Sequence, residues 1–107
     1  MINDSIFHLA KLYELITSME QDLGLDTLSE DERALIYAIT SVTDAKKSAF
    51  LSSDIKKHLL CGRMSNPTFY RNLKRLLERG IIKNALGKKT GLYEVADDAF
   101  FPARPPA

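Results

Sequence analysis

A single cysteine, Cys61, serves a chain of 107 residues. One cysteine excludes an internal disulfide framework and fits a reducing compartment. No apolar run approaches the roughly 18 residues of a membrane span, so no membrane partner is expected. Acids at Asp4 and Glu14 stand where a signal peptide would be basic, which points to a cytoplasmic protein. The chain has no internal repeat, no phosphate loop, no nucleophile motif and no paired carboxylates beside a pocket. No enzyme is expected, and no cofactor or small-molecule effector is identifiable. His8 and His58 fall in different segments without ligand spacing to Cys61, so no metal site is expected. Cys61 near a helix end invites a redox-sensor reading, with Arg63 and His58 close enough to lower its pKa. A small semi-buried residue is the blander reading, and the preferred one.

Net charge is small as well, only +1, but it is unevenly placed. Residues 1–45 carry nine acids against Lys11 and Arg33, a net −7. Residues 46–95 carry twelve bases against Asp54, Glu78 and Glu94, a net +9. A basic half inside a nearly neutral chain points to phosphate as its partner.

With 45% apolar residues the chain supports one compact domain plus a little more. The best-signalled element is Ser65 to Ile82, SNPTFYRNLKRLLERGII. Ser65 is a natural N-cap, and Pro67 fits the first turn, where a missing N–H costs little. Phe69, Leu73, Leu76 and Leu77 recur at helical spacing and form one apolar stripe. Gly80 closes the helix, and Ile81-Ile82 make a β-branched exit. The opposite face carries Thr68, Arg71, Lys74 and Arg75, with Tyr70 and Asn72 on its shoulders. A helix buried on one side and basic on the other suits a major-groove reader. A solvated surface helix looks much the same, so the neighbours must decide.

Upstream, residues 4–23 predict a helix capped by Asp4 or Ser5, about 30 Å long. Leu9, Leu12, Ile16, Met19 and Leu23 recur at spacings of three and four, with Ile2 in phase. That seam is read as a dimerisation element, against the blander alternative of a helix packed on its own domain. Gly24 ends it. Ser29 to Glu32 is a capping box opening a second helix, whose apolar face is Leu35, Ile36, Ile39 and Val42. Ala49-Phe50-Leu51 reads as a very short strand. A helix over Asp54 to Cys61, capped by Ser52-Ser53, should bury Ile55 and Leu59 and point Lys56 and Lys57 outward. Gly62-Arg63-Met64 is then a tight turn, with Met64 its apolar plug. Helix, turn and capped basic helix in succession make a helix-turn-helix. Ile81 to Leu86 and Leu92 to Val95, joined by Gly87-Lys88-Lys89-Thr90-Gly91, predict a hairpin with lysines at its tip, a wing.

The order Ser-Asp-Ile-x-x-x-Leu, turn, Ser-x-Pro-Thr-x-Tyr-Arg-x-Leu-x-x-Leu-x-x-x-Gly-Ile-Ile, hairpin resembles the winged helix-turn-helix of bacterial regulators, nearest to the MarR-like group. The resemblance covers residues 28–96. The wing lacks the Asp-x-Arg signature of that group, the turn is slightly long, and Asn72 replaces a usually apolar position. The resemblance implies a DNA-binding fold, and the group's habit of dimerising through terminal helices suits residues 4–23. It does not carry over a ligand pocket.

The expected fold is therefore mainly α with a small β-hairpin, a winged helix-turn-helix preceded by a long helix. Residues 1–26 form the N-terminal helix and dimerisation element, 27–96 the winged domain, and 97–107 a proline-containing flexible tail after Asp97-Asp98 and Phe100-Phe101. The expected function is sequence-specific binding of double-stranded DNA by a dimeric transcriptional regulator. Helix 65–79 enters the major groove, where Asn66, Thr68 and Tyr70 reach bases and Arg71 can pair with guanine. Ser65, Lys74, Arg75, Lys56 and Lys57 hold phosphates, and the wing over 83–93 brings Lys88 and Lys89 to the backbone or minor groove. The alternative is a winged helix used for protein–protein interaction without specific DNA binding, through the acidic N-terminal half or the Phe100-Phe101 tail.

Overall fold

Asn3, rather than Asp4 or Ser5, caps the first helix: its side-chain oxygen accepts from the Ile6 amide at 3.0 Å. The computed structural model describes residues 3–44, 46–85 and 91–96. Its first helix, α1, spans Asp4–Asp22 and ends where Gly24 takes a left-handed φ of 75° that a side chain would resist. One 3-10 turn, Leu25–Thr27, leads to α2, Glu30–Val42. The capping box forms as expected. The Glu32 amide donates to Ser29 Oγ at 3.1 Å, and the Ser29 amide donates to Glu32 Oε1 at 3.2 Å. Next come β1 (Ala49–Leu51), α3 (Ser52–Lys56), a 3-10 turn at Leu59–Cys61, and α4 (Asn66–Glu78). Strands β2 (Ile82–Asn84) and β3 (Leu92–Val95) complete the order. The protein is mainly helical, with a long N-terminal helix and a small antiparallel sheet.

That sheet has three strands rather than a hairpin's two. Its order is β1-β3-β2, so β3 is central. Phe50 faces Tyr93 on one side of β3, and Lys83 faces Glu94 on the other. Beneath the sheet, α2 contributes Leu35 and Ile39, α3 contributes Ile55, and α4 contributes Phe69, Leu73 and Leu76, all essentially without solvent contact. Ile82 and Val95 close the core from the sheet. Each such side chain contributes about 1.5–3 kcal/mol through burial.

The segment before α4 departs from expectation. The helix expected over Asp54 to Cys61 is only five residues long, starts at Ser52, and has no side-chain cap. His58 interrupts it with an extended ψ of 145° while its Nδ1 accepts the Leu60 amide. That break leaves Leu59 89% exposed instead of buried. Cys61 and Met64 take the interior places. Burial pushes the Cys61 thiol above its usual pKa, only partly offset by Lys56, so the thiolate needed by a redox sensor is disfavoured.

Glu32 is almost fully buried yet charged. Its Oε2 accepts from Arg79 Nε at 2.9 Å, tying the start of α2 to the end of α4. Burial pushes its pKa up, but the Ser29 amide and hydroxyl together with Arg79 outweigh this and hold it below the ordinary value of 4.5. A lowered folded-state pKa means stability that is present above pH 4.5 and lost as the pH falls through the lowered value. Arg79→Ala is expected to cost about 1–2 kcal/mol at neutral pH, since the guanidinium is half-exposed. In urea titrations that deficit should shrink below pH 4.5. A deficit unchanged at pH 3 assigns the loss to packing instead.

α1 contributes no buried residue. Its hold on the rest of the chain is at its last turns. Glu20 accepts a hydrogen bond from the Tyr37 hydroxyl and lies 3.5 Å from Arg33 Nε. Arg33 in turn donates to the carbonyls of Leu25 and Leu28. Burial and the Glu20 carboxylate together push the Tyr37 phenol up to about 12.

Candidate nucleic-acid interface

Helix α4 is fixed at both ends and along one side. Ser65 caps it, its Oγ accepting the Thr68 amide at 3.3 Å and donating to Thr68 Oγ1 at 3.0 Å. At the other end Gly80, at φ 77°, allows the Gly80 and Ile81 amides to close on the carbonyls of Leu77 and Leu76. Phe69, Leu73 and Leu76 bury its inner side. The outer side is therefore presented on a rigid support, as base readout requires.

That outer side carries Asn66, Tyr70, Arg71, Lys74 and Arg75, all exposed, as is the cap Ser65. Arg71, Lys74 and Arg75 form no ion pair among the described residues. Thr68 is half-buried at the first turn. Asn72 corrects the reading of the sequence. It is not on a shoulder of the basic face but 3% exposed on the inner side. Its Nδ2 donates to the Thr68 carbonyl at 2.8 Å, whereas its Oδ1 has no partner among the described residues. At 100° per residue Asn72 lies 40° beyond Leu76 at the edge of the apolar stripe, and the packing of the domain covers that edge.

Of the α3 lysines, Lys57 is exposed and Lys56 half-buried, its Nζ 5.8 Å from the centre of the Phe69 ring. That contact draws Lys56 over the start of α4. Lys88 and Lys89 lie outside the described residues, as do Phe100-Phe101 and the rest of 97–107.

Between the outer side of α4 and the strands runs an open groove of about 600 Å³. Tyr70 and Lys74 form one wall, and Lys83, Asn84 and Tyr93 form the other. The last three were missed in the sequence as site residues. Lys83 was visible only as one charge in the basic half, because its place in the groove depends on strand register. Lys83 is partly engaged by Glu94, 3.6 Å away across the strands. Leu73, Leu77 and Ile82 form its floor and Glu78 lies on the helix side, so the groove sets the Lys74 and Lys83 amines and two tyrosine rings around an apolar base.

The residues expected from the sequence to form a dimerisation seam lie apart from this face. Leu9, Leu12, Ile16, Met19 and Leu23 are all on α1 or its cap and all exposed. No helix among the described residues is long and apolar enough to cross a membrane. No protein-family model, curated protein or solved structure matches this chain.

Proposed function

We propose that this chain is a sequence-specific double-stranded DNA-binding protein, acting as a homodimeric, cytoplasmic transcriptional regulator of the MarR-like winged-helix kind. What supports the reading above all is α4: a capped helix, buried along one side, whose outer side offers three cations without an ion pair among the described residues, together with Asn66 and Tyr70. Those residue types suit recognition of bases in the major groove, and the cations suit phosphates. Lys56 and Lys57 extend the cationic surface on one flank and Lys83 on the other. A second reading, a protein-interaction module without specific DNA binding, draws on the exposed apolar residues of α1.

Titration of the protein against genomic fragments at several salt concentrations tests the proposal. A dimer neutralising about 6–10 phosphates is expected to lose about 10³–10⁵ in affinity between 50 and 200 mM salt. On the best site found, Arg71→Ala should cost about 1–3 kcal/mol and relax the sequence preference, whereas Lys74→Ala should weaken all sites alike. Absence of binding, or binding that ignores salt, favours the protein-interaction reading.

A further inference from the structure

Most of the exposed large apolar residues among those described lie on α1. At 100° per residue, the side chains from Leu15 round through Leu12 and Ile16 to Ile6 fall on one half of the helix circumference. Every large apolar residue on that half is between 46 and 72% exposed. Taking roughly 100 Å² for each, the half-circle offers on the order of 800 Å² of apolar surface. A monomer's largest apolar patch is smaller, and a standard interface buries about 800 Å² per partner. The same half runs into a groove of about 310 Å³ where α1 meets α2, lined by Ile16, Met19, Glu20, Leu23, Leu25 and Tyr37.

We propose that α1 pairs antiparallel with α1 of a second copy about a two-fold axis near Glu14, placing Leu9 against the partner's Met19 and Leu12 against the partner's Ile16. The pairing rests on the reading of α1 as a dimerisation element and fixes its direction and register. In heptad terms Leu9 and Ile16 are a positions, and Leu12 and Met19 are d positions. Antiparallel a–d layers need two paired numbers with a constant sum. Leu9 with Met19, Leu12 with Ile16 and Ser5 with Leu23 all satisfy 28. The helix is centred on residue 13, so this register overlaps it almost end to end.

The flanking positions favour the antiparallel direction. There, Leu15 meets the partner's Leu15 and Tyr13 the partner's Tyr13 at the axis, while His8 comes opposite the partner's Asp22. The partner's Ile6 then reaches the groove at Met19 and Tyr37. Either direction sets one apolar residue near the engaged Glu20 carboxylate, Ile6 in the antiparallel pair and Leu15 in the parallel one, so the Leu15–Leu15, Tyr13–Tyr13 and His8–Asp22 contacts set the direction. Antiparallel pairing also starts the two domains about 27 Å apart, from nine residues of helix on either side of the axis. That separation approaches the ~34 Å between half-sites on successive turns of DNA.

Disulfide trapping without DNA tests the proposal, so its outcome is independent of whether the chain binds DNA. In a Cys61→Ala background, Leu9→Cys and Met19→Cys proteins are oxidised separately and after mixing and re-equilibration. The mixture is expected to yield about tenfold more covalent dimer than either variant alone, because only the mixed pair comes within disulfide reach. Ser5→Cys with Leu23→Cys carries the same expectation if either first variant loses its helical circular dichroism. Covalent dimer formed by each variant alone overturns the proposal in favour of a parallel pair. Sedimentation of the wild type as a monomer at 50 µM (about the concentration used for trapping) overturns it altogether.

Discussion

Phe69→Ala is expected to lower stability by about 3–5 kcal/mol, the largest loss from any single truncation on α4. Phe69 has no solvent contact, lies edge-on to the Tyr70 ring at 5.0 Å between centres, and carries Lys56 above it. Removing it opens a cavity between α4 and the core. A chain of this size holds about 5–15 kcal/mol in all, so the variant should be substantially unfolded in low urea or at body temperature. Its neighbour supplies the control. Tyr70 is 49% exposed and lies 100° round the helix, keeping only its ring edge against Phe69, so Tyr70→Ala should cost about 1 kcal/mol. Urea titration followed by circular dichroism reads both. Equal losses in the two variants contradict the orientation of α4, and with it the assignment of its outer side to DNA.

The placement of α4 was legible in the sequence because several local signals agreed. Ser65, Pro67 and Gly80 mark its ends by backbone chemistry, and Phe69, Leu73 and Leu76 mark its inner side by spacing. The Ser29–Glu32 capping box was legible for the same reason: both partners lie within one turn. Asn72 was misread because its side chain was judged by polarity, whereas the helix repeat carries it to the edge of the apolar stripe, which the packing of the domain covers. There its amide reaches the carbonyl four residues back, which satisfies the donor locally.

Features set by contacts distant in sequence were not legible. The α3 segment looked like an eight-residue helix, but Cys61 is drawn into the core and His58 breaks the chain to let it in. The strand Ala49–Leu51 was legible by itself, but its place in the sheet depended on Phe50 finding Tyr93, more than 40 residues away. The ties Glu32–Arg79 and Glu20–Tyr37 likewise join residues 47 and 17 apart, with no local spacing to announce them. For the candidate site the division is similar. The exposed cations of α4 could be read from the helix alone, while the second wall of its groove required the strand register.

The apolar seam of α1 was read with two outcomes in view, a helix packed on its own domain or one held for a partner. None of its residues is buried, so the domain's core does not include it. Replacing both Ile16 and Met19 with lysine should consequently leave the domain folded. Only their border on the groove beside Tyr37 is affected. An isolated stretch of 19 residues is only marginally helical without a packed face, so some loss of α1 helicity is expected in the monomer. The larger effect is on assembly. Two lysines on each seam bring four desolvated charges into an antiparallel pair that has no acids at the facing positions, Leu9 and Leu12. The double variant should sediment as a monomer. On a palindromic site it then loses the gain from tethering two reading helices, about 10²–10⁴ in affinity, while binding to a half-site is unchanged. Measuring both sites separates the two roles of the chain. A parallel fall on palindrome and half-site places α1 in the DNA contact itself, and an unchanged palindrome affinity removes it from assembly.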